Sequence, residues 1–311
     1  MGGLLYFALM IILLFLCLPV IASLVVTSTV MINLTSGTVP WGQLGQQLMG
    51  GLNSFSLLAV PLFLLAGNLM NWTSITTRLF NVAKVFVGHL KGGLGYVNVL
   101  VSAIFAGMSG TSVGDATGLG TIEIKAMRES GYDDDFSCAV TACSSLLGPV
   151  IPPSMPLIVY GSMAGASIGA LFMAGIVPGI IMTLGMFGLC WYYARKRDYP
   201  REPKLTLSEA LTLMKDGILP MMIPIIILGG IYGGYFTPTE AASICVVYAI
   251  LVGFIYKELT WKRIWQILKE TTISSASICI LVAAAKVFGS IITRMMVPQD
   301  ILALVTSYIS T

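Results

Sequence analysis

Apolar residues run along this chain in long blocks, and polar residues gather in the short gaps between them. The block Leu4 to Met31 exceeds one ordinary crossing of about 20 residues and is interrupted at Pro19. The pattern there predicts two short, tightly joined helices near 4–17 and 20–34. Further apolar runs cover 55–71, 94–108, 117–127, 135–148, 156–164, 171–193, 217–235, 239–256 and 273–292. Segments 74–91 and 257–272 mix charged and apolar positions and predict amphipathic helices lying along a membrane surface.

Two interruptions stand out because the residues around them are so apolar. One is Met108-Ser109-Gly110-Thr111-Ser112-Val113-Gly114-Asp115, and the other is Gly148-Pro149-Val150-Ile151-Pro152-Pro153-Ser154. In hydrocarbon an unpaired backbone N–H or C=O costs several kcal/mol, so non-helical backbone persists there only inside protein or beside a wet cavity. Secondary transporters build ion and substrate sites from such breaks.

Composition agrees with a lipid-solvated surface. Charged residues are 10% of the chain and hydrophobic residues 56%, against roughly 25% charged in a soluble domain. The net charge of +3 gives no reason to invoke nucleic acid. Six cysteines (Cys17, Cys138, Cys143, Cys190, Cys245, Cys279) sit in apolar stretches without CxxC pairs, and read as small buried residues, not as a disulfide or metal framework. His89 is the single histidine, which leaves little room for His-based metal or acid–base chemistry. The first apolar stretch lacks a basic n-region and runs on into a second, so it reads as mature membrane helix and not as a signal peptide.

Charge placement predicts orientation. Arg195, Lys196, Arg197, Arg201, Lys204 and Lys215 cluster in linker 194–215, which the positive-inside rule places in the cytoplasm. Counting crossings outward puts Arg78/Lys84/Lys91, Lys125/Arg128 and Lys257/Lys262/Arg263/Lys269 on the same side. The opposite loops, including 35–54 and 164–170, carry no Lys or Arg, and the N-terminus falls outside, in the periplasm of a Gram-negative cell. This count needs 94–127 to be a re-entrant hairpin and 135–164 to be one broken crossing. Neither arm of the broken crossing is long enough to span alone.

A faint internal repeat fits the same layout. Pro19-Val20-Ile21-Ala22-Ser23 resembles Pro238-Thr239-Glu240-Ala241-Ala242-Ser243, and the same offset pairs helix 55–71 with 274–290. The copies start on opposite sides, so the expected organisation is an inverted repeat. Residues 1–193 form the first repeat, with surface arm 74–91, hairpin 94–127 and broken helix 135–164. Linker 194–215 follows, and 216–311 begin a second repeat that stops before its hairpin.

At the hairpin tip, Ser109, Thr111 and Ser112 set hydroxyls among Gly110 and Gly114, which allow tight turns and close backbone approach. The returning arm begins with free N–H groups suited to a carboxylate, and the entering arm ends in carbonyls suited to Na⁺. Asp115 is costly in hydrocarbon and is a functional candidate by default. The alternative is a polar hairpin cap with Gly114 and Gly118 as small packing residues. In the second break, three prolines free the carbonyls of Gly148, Val150 and Ile151; the alternative is a simple kink. The candidate substrate residues are Ser109, Gly110, Thr111, Ser112, Asp115, Pro153 and Ser154. The candidate Na⁺ ligands are Ser109, Thr111, Ser112, Gly148, Val150 and Pro152. Asp133-Asp134-Asp135 reads as a solvated turn capping the next helix, and Glu240 as a structural carboxylate near a helix start. Lys286, mid-span, either snorkels or pairs with a partner chain. Trp41, Trp72, Trp191 and Trp261 read as interfacial anchors.

These motifs resemble a known family, the large membrane subunit of tripartite ATP-independent periplasmic (TRAP) transporters. The likeness rests on Ser109-Gly110-Thr111-Ser112-Val113-Gly114-Asp115, Ile124-Lys125-Ala126-Met127-Arg128-Glu129-Ser130-Gly131-Tyr132, the stretch Thr141 to Pro156, and Pro61 to Met70. It implies an all-α polytopic fold of the elevator type, in the bacterial inner membrane. It also implies a Na⁺ gradient driving import of an organic acid, such as a dicarboxylate, sialic acid or another sugar acid. A periplasmic substrate-binding protein delivers the acid, and a small four-helix membrane subunit works alongside. By the same likeness Ser109–Ser112 and Gly148–Pro153 form the first Na⁺ site and half the substrate site. The family's second hairpin and second Na⁺ site would lie beyond Thr311, so the chain reads as a piece of a longer protein. Two other functions remain open: a channel or structural membrane subunit, and an intramembrane serine protease using Gly107-Met108-Ser109-Gly110, which would need a histidine as base.

Overall fold

The computed structural model describes residues 2–34, 41–203 and 205–309. Residues 35–40, which include Thr38, and Lys204 fall outside the described residues, as does the side chain of Trp41. The described residues form helices throughout, with one isolated bridge between Lys91 and Arg201 and no strand among them. In chain order the helices are α1 Gly2–Phe15, α2 Val20–Leu34, α3 Trp41–Leu52, α4 Ala59–Asn71, α5 Ile75–Val87 and α6 Gly93–Ser109. A one-turn α7 (Ser112–Gly114) passes through a π-turn at Asp115–Leu119 into α8 Gly120–Glu129. Then come α9 Asp134–Ser145, α10 Met155–Ala164, α11 Ile168–Lys196, α12 Leu207–Tyr232, α13 Pro238–Ile255, α14 Trp261–Arg294 and α15 Val297–Ile309. Among the described residues, α11, α12, α13 and α14 are each long and apolar enough to cross a membrane.

The chain packs as two compact units, residues 1–54 with 274–311 and residues 55–273. In the first, Leu24, Met31 and Ile32 of α2 bury against Ala284, Val287, Phe288 and Ile291 of α14. Lys286 is half-buried there, its stem lying over Gly51 of α3.

In the second unit α6 is the central helix. Val97, Val99, Val101, Phe105, Ala106 and Met108 are fully enclosed, with α4, α5, α8, α9, α11 and α12 around them. Helix α4 packs along α13, where Ala241, Ala242, Cys245 and Ala249 present a smooth face. The helix starts follow from local sequence. Thr206 with Glu209, and Thr237 with Glu240, form reciprocal capping boxes, so Glu240 has the structural role expected of it.

Ion pairs gather the basic groups that were predicted to share one side. Lys84 meets Glu202, Lys91 meets Asp198, Arg78 meets Asp216, and Arg128 meets Asp134. Arg78 also stacks on Tyr256, 3.9 Å from the ring centre, and the backbone N–H of Ser74 donates to Glu258. Arg197 holds Asp133 and Asp135 at 2.9 and 3.0 Å, which keeps the Asp135 carboxyl below its ordinary range. Burial pushes the Tyr199 phenol up to about 12, so it stays protonated and donates to Asp133 over 2.8 Å. Residues 197–202 of the linker are thereby strapped to the base of the hairpin.

Four sequence expectations change. Segment 257–272 is no separate surface helix, because α14 runs unbroken through 34 residues; no proline interrupts it and its first glycine is Gly289. The last part of linker 194–215 is already helical, since the Thr206 capping box starts α12 at Leu207. Asp133 occupies the cap position of α9 without a side-chain cap bond, because its carboxylate is taken by Arg197 and Tyr199. Only Cys190 and Cys245 are buried, while Cys138 and Cys143 lie on the outward face of α9 and Cys17 is exposed in the turn between α1 and α2; all six are free thiols.

Gly92 marks where the hairpin base meets α11. Its φ is +73°, and a Cβ there would sit 2.3 Å from the Ala194 Cβ. Gly92→Ala is expected to destabilise the protein by about 1–3 kcal/mol through backbone strain, with overpacking added to it. Gly131, also at positive φ but in open space, provides the control. In thermal unfolding of the purified protein, Gly131→Ala should lower the midpoint visibly less than Gly92→Ala.

Candidate functional site

The two breaks meet. Helix α6 ends at Ser109 because Gly110 takes a left-handed conformation, φ +63°, and turns the chain back. The Gly110 carbonyl accepts a hydrogen bond from the Met155 N–H at 3.1 Å, joining hairpin tip to broken helix through backbone alone. Each side approaches so closely that only glycine fits. A Cβ on Gly110 would lie 2.4 Å from the Pro153 carbonyl oxygen, and one on Gly148 would lie 2.8 Å from Thr111 C and O. Behind the tip, Gly67 of α4 lets Ser109 pack closely, a Cβ there lying 3.3 Å from its side chain.

The hydroxyls at the tip differ in what they do. Thr111 caps the returning arm, its Oγ1 accepting from the Gly114 N–H at 3.0 Å. Ser109 is buried, and its Oγ has no hydrogen-bond partner. Ser112 is half-buried at the first helical position. Ser154 is fully enclosed and already engaged: it donates to the Pro149 carbonyl at 2.5 Å and caps α10 through the Leu157 N–H. The Pro152–Pro153 bond is cis.

The structure therefore brings Ser109, Gly110, Thr111, Ser112, Gly148, Pro152 and Pro153 into one neighbourhood, with the Pro152 carbonyl oxygen facing Gly107 of α6. It does not bring the Val150 carbonyl there. That oxygen is turned toward α11, where a Cβ on Gly175 would lie 2.6 Å from it. Asp115 sits behind the tip at 1% exposure, with no partner on either carboxylate oxygen. The Ser102 hydroxyl lies beside it, yet donates to Ser144 at 3.1 Å instead.

A Na⁺ ion needs several oxygens that are not otherwise satisfied. The orphaned, buried Ser109 Oγ has that character, on a side chain that packs toward Gly67 of α4. Val150 would have to turn to take part.

Sequence reasoning missed a polar network inside the hairpin. Ser102 donates to Ser144, Ser144 donates to Asn98, and the Asn98 amide donates to Thr141 at 2.7 Å. The signal was available as Asn98 and Ser102 four apart, facing Thr141 and Ser144 three apart, in otherwise apolar runs. It also missed Glu123, buried and unpartnered like Asp115. The third omission is Asn71, whose side chain donates to the Gly114 carbonyl at 3.1 Å from α4. The π-turn that carries Asp115 had no sequence signal; such turns recur at functional sites. His89 precedes α6 and Ser109 ends it, so a helix of 17 residues, about 25 Å at ~1.5 Å per residue, separates them. No histidine is placed to activate Ser109.

Residues 7–311 match the family model for the tripartite ATP-independent periplasmic transporter, DctM component. The chain belongs to that family. Among TRAP relatives, it is 43% identical over 288 residues to the sialic acid TRAP transporter large permease protein SiaM of Vibrio cholerae, covering 92% of this chain and 67% of that one. It is 40% identical over 299 residues to the sialic acid TRAP transporter permease protein SiaT of Haemophilus influenzae, covering 95% and 48%. The C4-dicarboxylate TRAP transporter large permease protein DctM of Rhodobacter capsulatus is 33% identical over 314 residues, covering 96% and 71%. The chain thus spans about half the length of the Haemophilus protein and about two-thirds of the Vibrio one. It is a multi-pass TRAP permease chain, as its resemblance implied.

Gly148→Ala tests the meeting of the two breaks. Its methyl would press on the Thr111 backbone, which cannot swing aside. The strain should cost about 1–3 kcal/mol and cut substrate uptake by the assembled transporter about tenfold or more. Gly165→Ala, in open space although at φ +68°, should leave uptake near wild type at matched membrane expression.

Proposed function

We propose that this chain is the permease component of a Na⁺-coupled importer of an organic acid. The observation that carries the proposal is the backbone contact between hairpin tip and broken helix, with the unpartnered Ser109 hydroxyl beside it. Na⁺ would be held by Ser109, Thr111 and Ser112 together with carbonyls of the Gly148–Pro152 break. The substrate carboxylate would take the free N–H groups opening the 112–129 helical run, where the dipole favours an anion. Pro153 and Gly110 would shape that pocket, while Asp115 and its buried surroundings would set the local charge.

Relatives are named for sialic acid, C4-dicarboxylates and isethionate, all organic anions, which supports an acidic group, carboxylate or sulfonate, as the recognised feature. The remaining expectations belong to the same reading. A periplasmic binding protein delivers the acid, a small membrane subunit assembles with the chain, and the inverted repeat moves the site in elevator fashion. The protein lies in a bacterial inner membrane. Cation binding would tie hairpin to broken helix and order the N–H groups, so ion and substrate affinities should be coupled reciprocally, typically by ~1–3 kcal/mol.

Two measurements test this. Ser109→Ala removes a buried hydroxyl that makes no bond within the protein, so it should cost folding little. In the assembled transporter, Ser109→Ala, Ser112→Ala and Pro152→Ala should each weaken Na⁺ activation of uptake more than they lower expression. Unchanged Na⁺ activation in all three, or equal wild-type uptake on a proton gradient without Na⁺, would remove the sodium site. For topology, cysteines introduced at Ser208 and Thr38 should be labelled from opposite sides of the membrane; labelling from one side would overturn the proposed orientation.

A further inference from the structure

Ser109 is not alone in lacking a partner. Three side chains around Gly114 carry buried oxygens with no hydrogen bond among the described residues: the Ser109 hydroxyl, the Asn71 amide oxygen and both carboxylate oxygens of Asp115. Gly114 fixes their neighbourhood. A Cβ on Gly114 would lie 3.9 Å from the Ser109 Cβ, and the Asn71 amide nitrogen donates to the Gly114 carbonyl at 3.1 Å. Asp115 is the next residue in the chain.

Helix α4 supplies the outer wall. Asn71 is its last residue and follows Gly67 by four positions, so both lie on one face of the helix. That face meets the hairpin, since Ser109 packs against Gly67 while Asn71 reaches Gly114. Gly118 clears room for the amide; a Cβ there would fall 2.2 Å from Asn71 Oδ1. The bond from Nδ2 to Gly114 sets which end of the amide is the donor and leaves Oδ1 as the free acceptor.

Buried polar atoms are nearly always satisfied, so orphaned oxygens on three adjacent side chains point to one missing group that serves them all. A single water could donate to two of them, yet it would leave the Asp115 charge without a counterpart. A monovalent cation meets every demand. It accepts hydroxyl, amide and carboxylate oxygens as ligands, its charge offsets one carboxylate, and the carbonyl end of α4 favours positive charge.

We infer that the Asn71 amide oxygen is a ligand of the Na⁺ at the hairpin tip, in one shell with the Ser109 hydroxyl and the Asp115 carboxylate. The inference rests on the Na⁺-coupled reading above and extends the ion's shell to α4, an element that reading leaves out. Asn71 then ties α4 to the hairpin in two ways, through its N–H at all times and through its oxygen only while the ion is bound.

Na⁺-induced thermal stabilisation of the purified, assembled transporter tests this without recourse to uptake. Binding to the folded state raises stability as the ratio of ion concentration to Kd grows. A NaCl titration at ionic strength held constant with choline chloride therefore reports affinity separately from the sodium-free midpoint. Asn71→Leu, which keeps the bulk and removes the amide, and Asp115→Asn should each need about tenfold more Na⁺ to reach the wild-type shift. Asn71→Asp loses the donor to Gly114 but keeps an oxygen for the ion, so it should need no more than about threefold extra. Where Asn71→Leu fails to assemble, Gly118→Ala displaces the amide instead and should weaken the Na⁺ response in the same way. If the amide merely latches the tip, the Asp and Leu variants lose the response alike, or lower the sodium-free midpoint with the wild-type response intact; either result overturns the ligand assignment. A wild type with no Na⁺-induced shift would remove the sodium reading itself, and this ligand with it.

Discussion

The backbone hydrogen bond from Met155 to Gly110 is the contact on which the meeting of the two chain breaks depends. Two stretches of chain leave helical geometry deep in an apolar sequence, and each leaves N–H and C=O groups that hydrocarbon cannot satisfy. They are tolerable because they face each other. The tip supplies an acceptor, the break supplies a donor, and glycines at Gly110 and Gly148 remove the side chains that would hold them apart. The fold around them serves that meeting: α6 is enclosed on every side, and α4 steadies the tip through Asn71.

At the opposite end of α6 the problem is different and so is the solution. There the chain is wet, and charges do the joining. Arg197 gathers Asp133 and Asp135, Tyr199 adds a neutral donor to the same carboxylate, and Lys91 and Glu202 tie the linker to neighbouring helices. Exposed ion pairs contribute little singly. Here they are reinforced by stacked rings of Tyr132, Phe136 and Tyr199, so the linker's first residues and the hairpin base form one piece.

Much of this was legible in residues alone. Prolines, glycines and the spacing of apolar runs located both breaks, the hairpin and nearly every helix, because a bilayer permits so few ways to interrupt a helix. Helix α14 was divided wrongly because composition shifts from amphipathic to apolar near Thr271 while nothing in the backbone chemistry breaks there. The exposed cysteines were misread as interior because apolar neighbours signal lipid as readily as they signal core. Asn98, Ser102, Thr141 and Ser144 escaped notice singly, since hydroxyls and amides acquire meaning only when the fold sets them opposite one another. The turned-away Val150 carbonyl shows the same limit: freed carbonyls can be counted in sequence, but their directions cannot.

The close approaches at Gly67, Gly110, Gly118 and Gly148 also bear on how such a gene can change. A glycine codon is one base from alanine, valine or an acidic or basic residue, and at Gly118 even a methyl would land 2.2 Å from Asn71 Oδ1. At Gly110 and Gly148 the nearby atoms are backbone and any such change is costly, whereas at Gly67 and Gly118 the neighbour is a side chain that can give way.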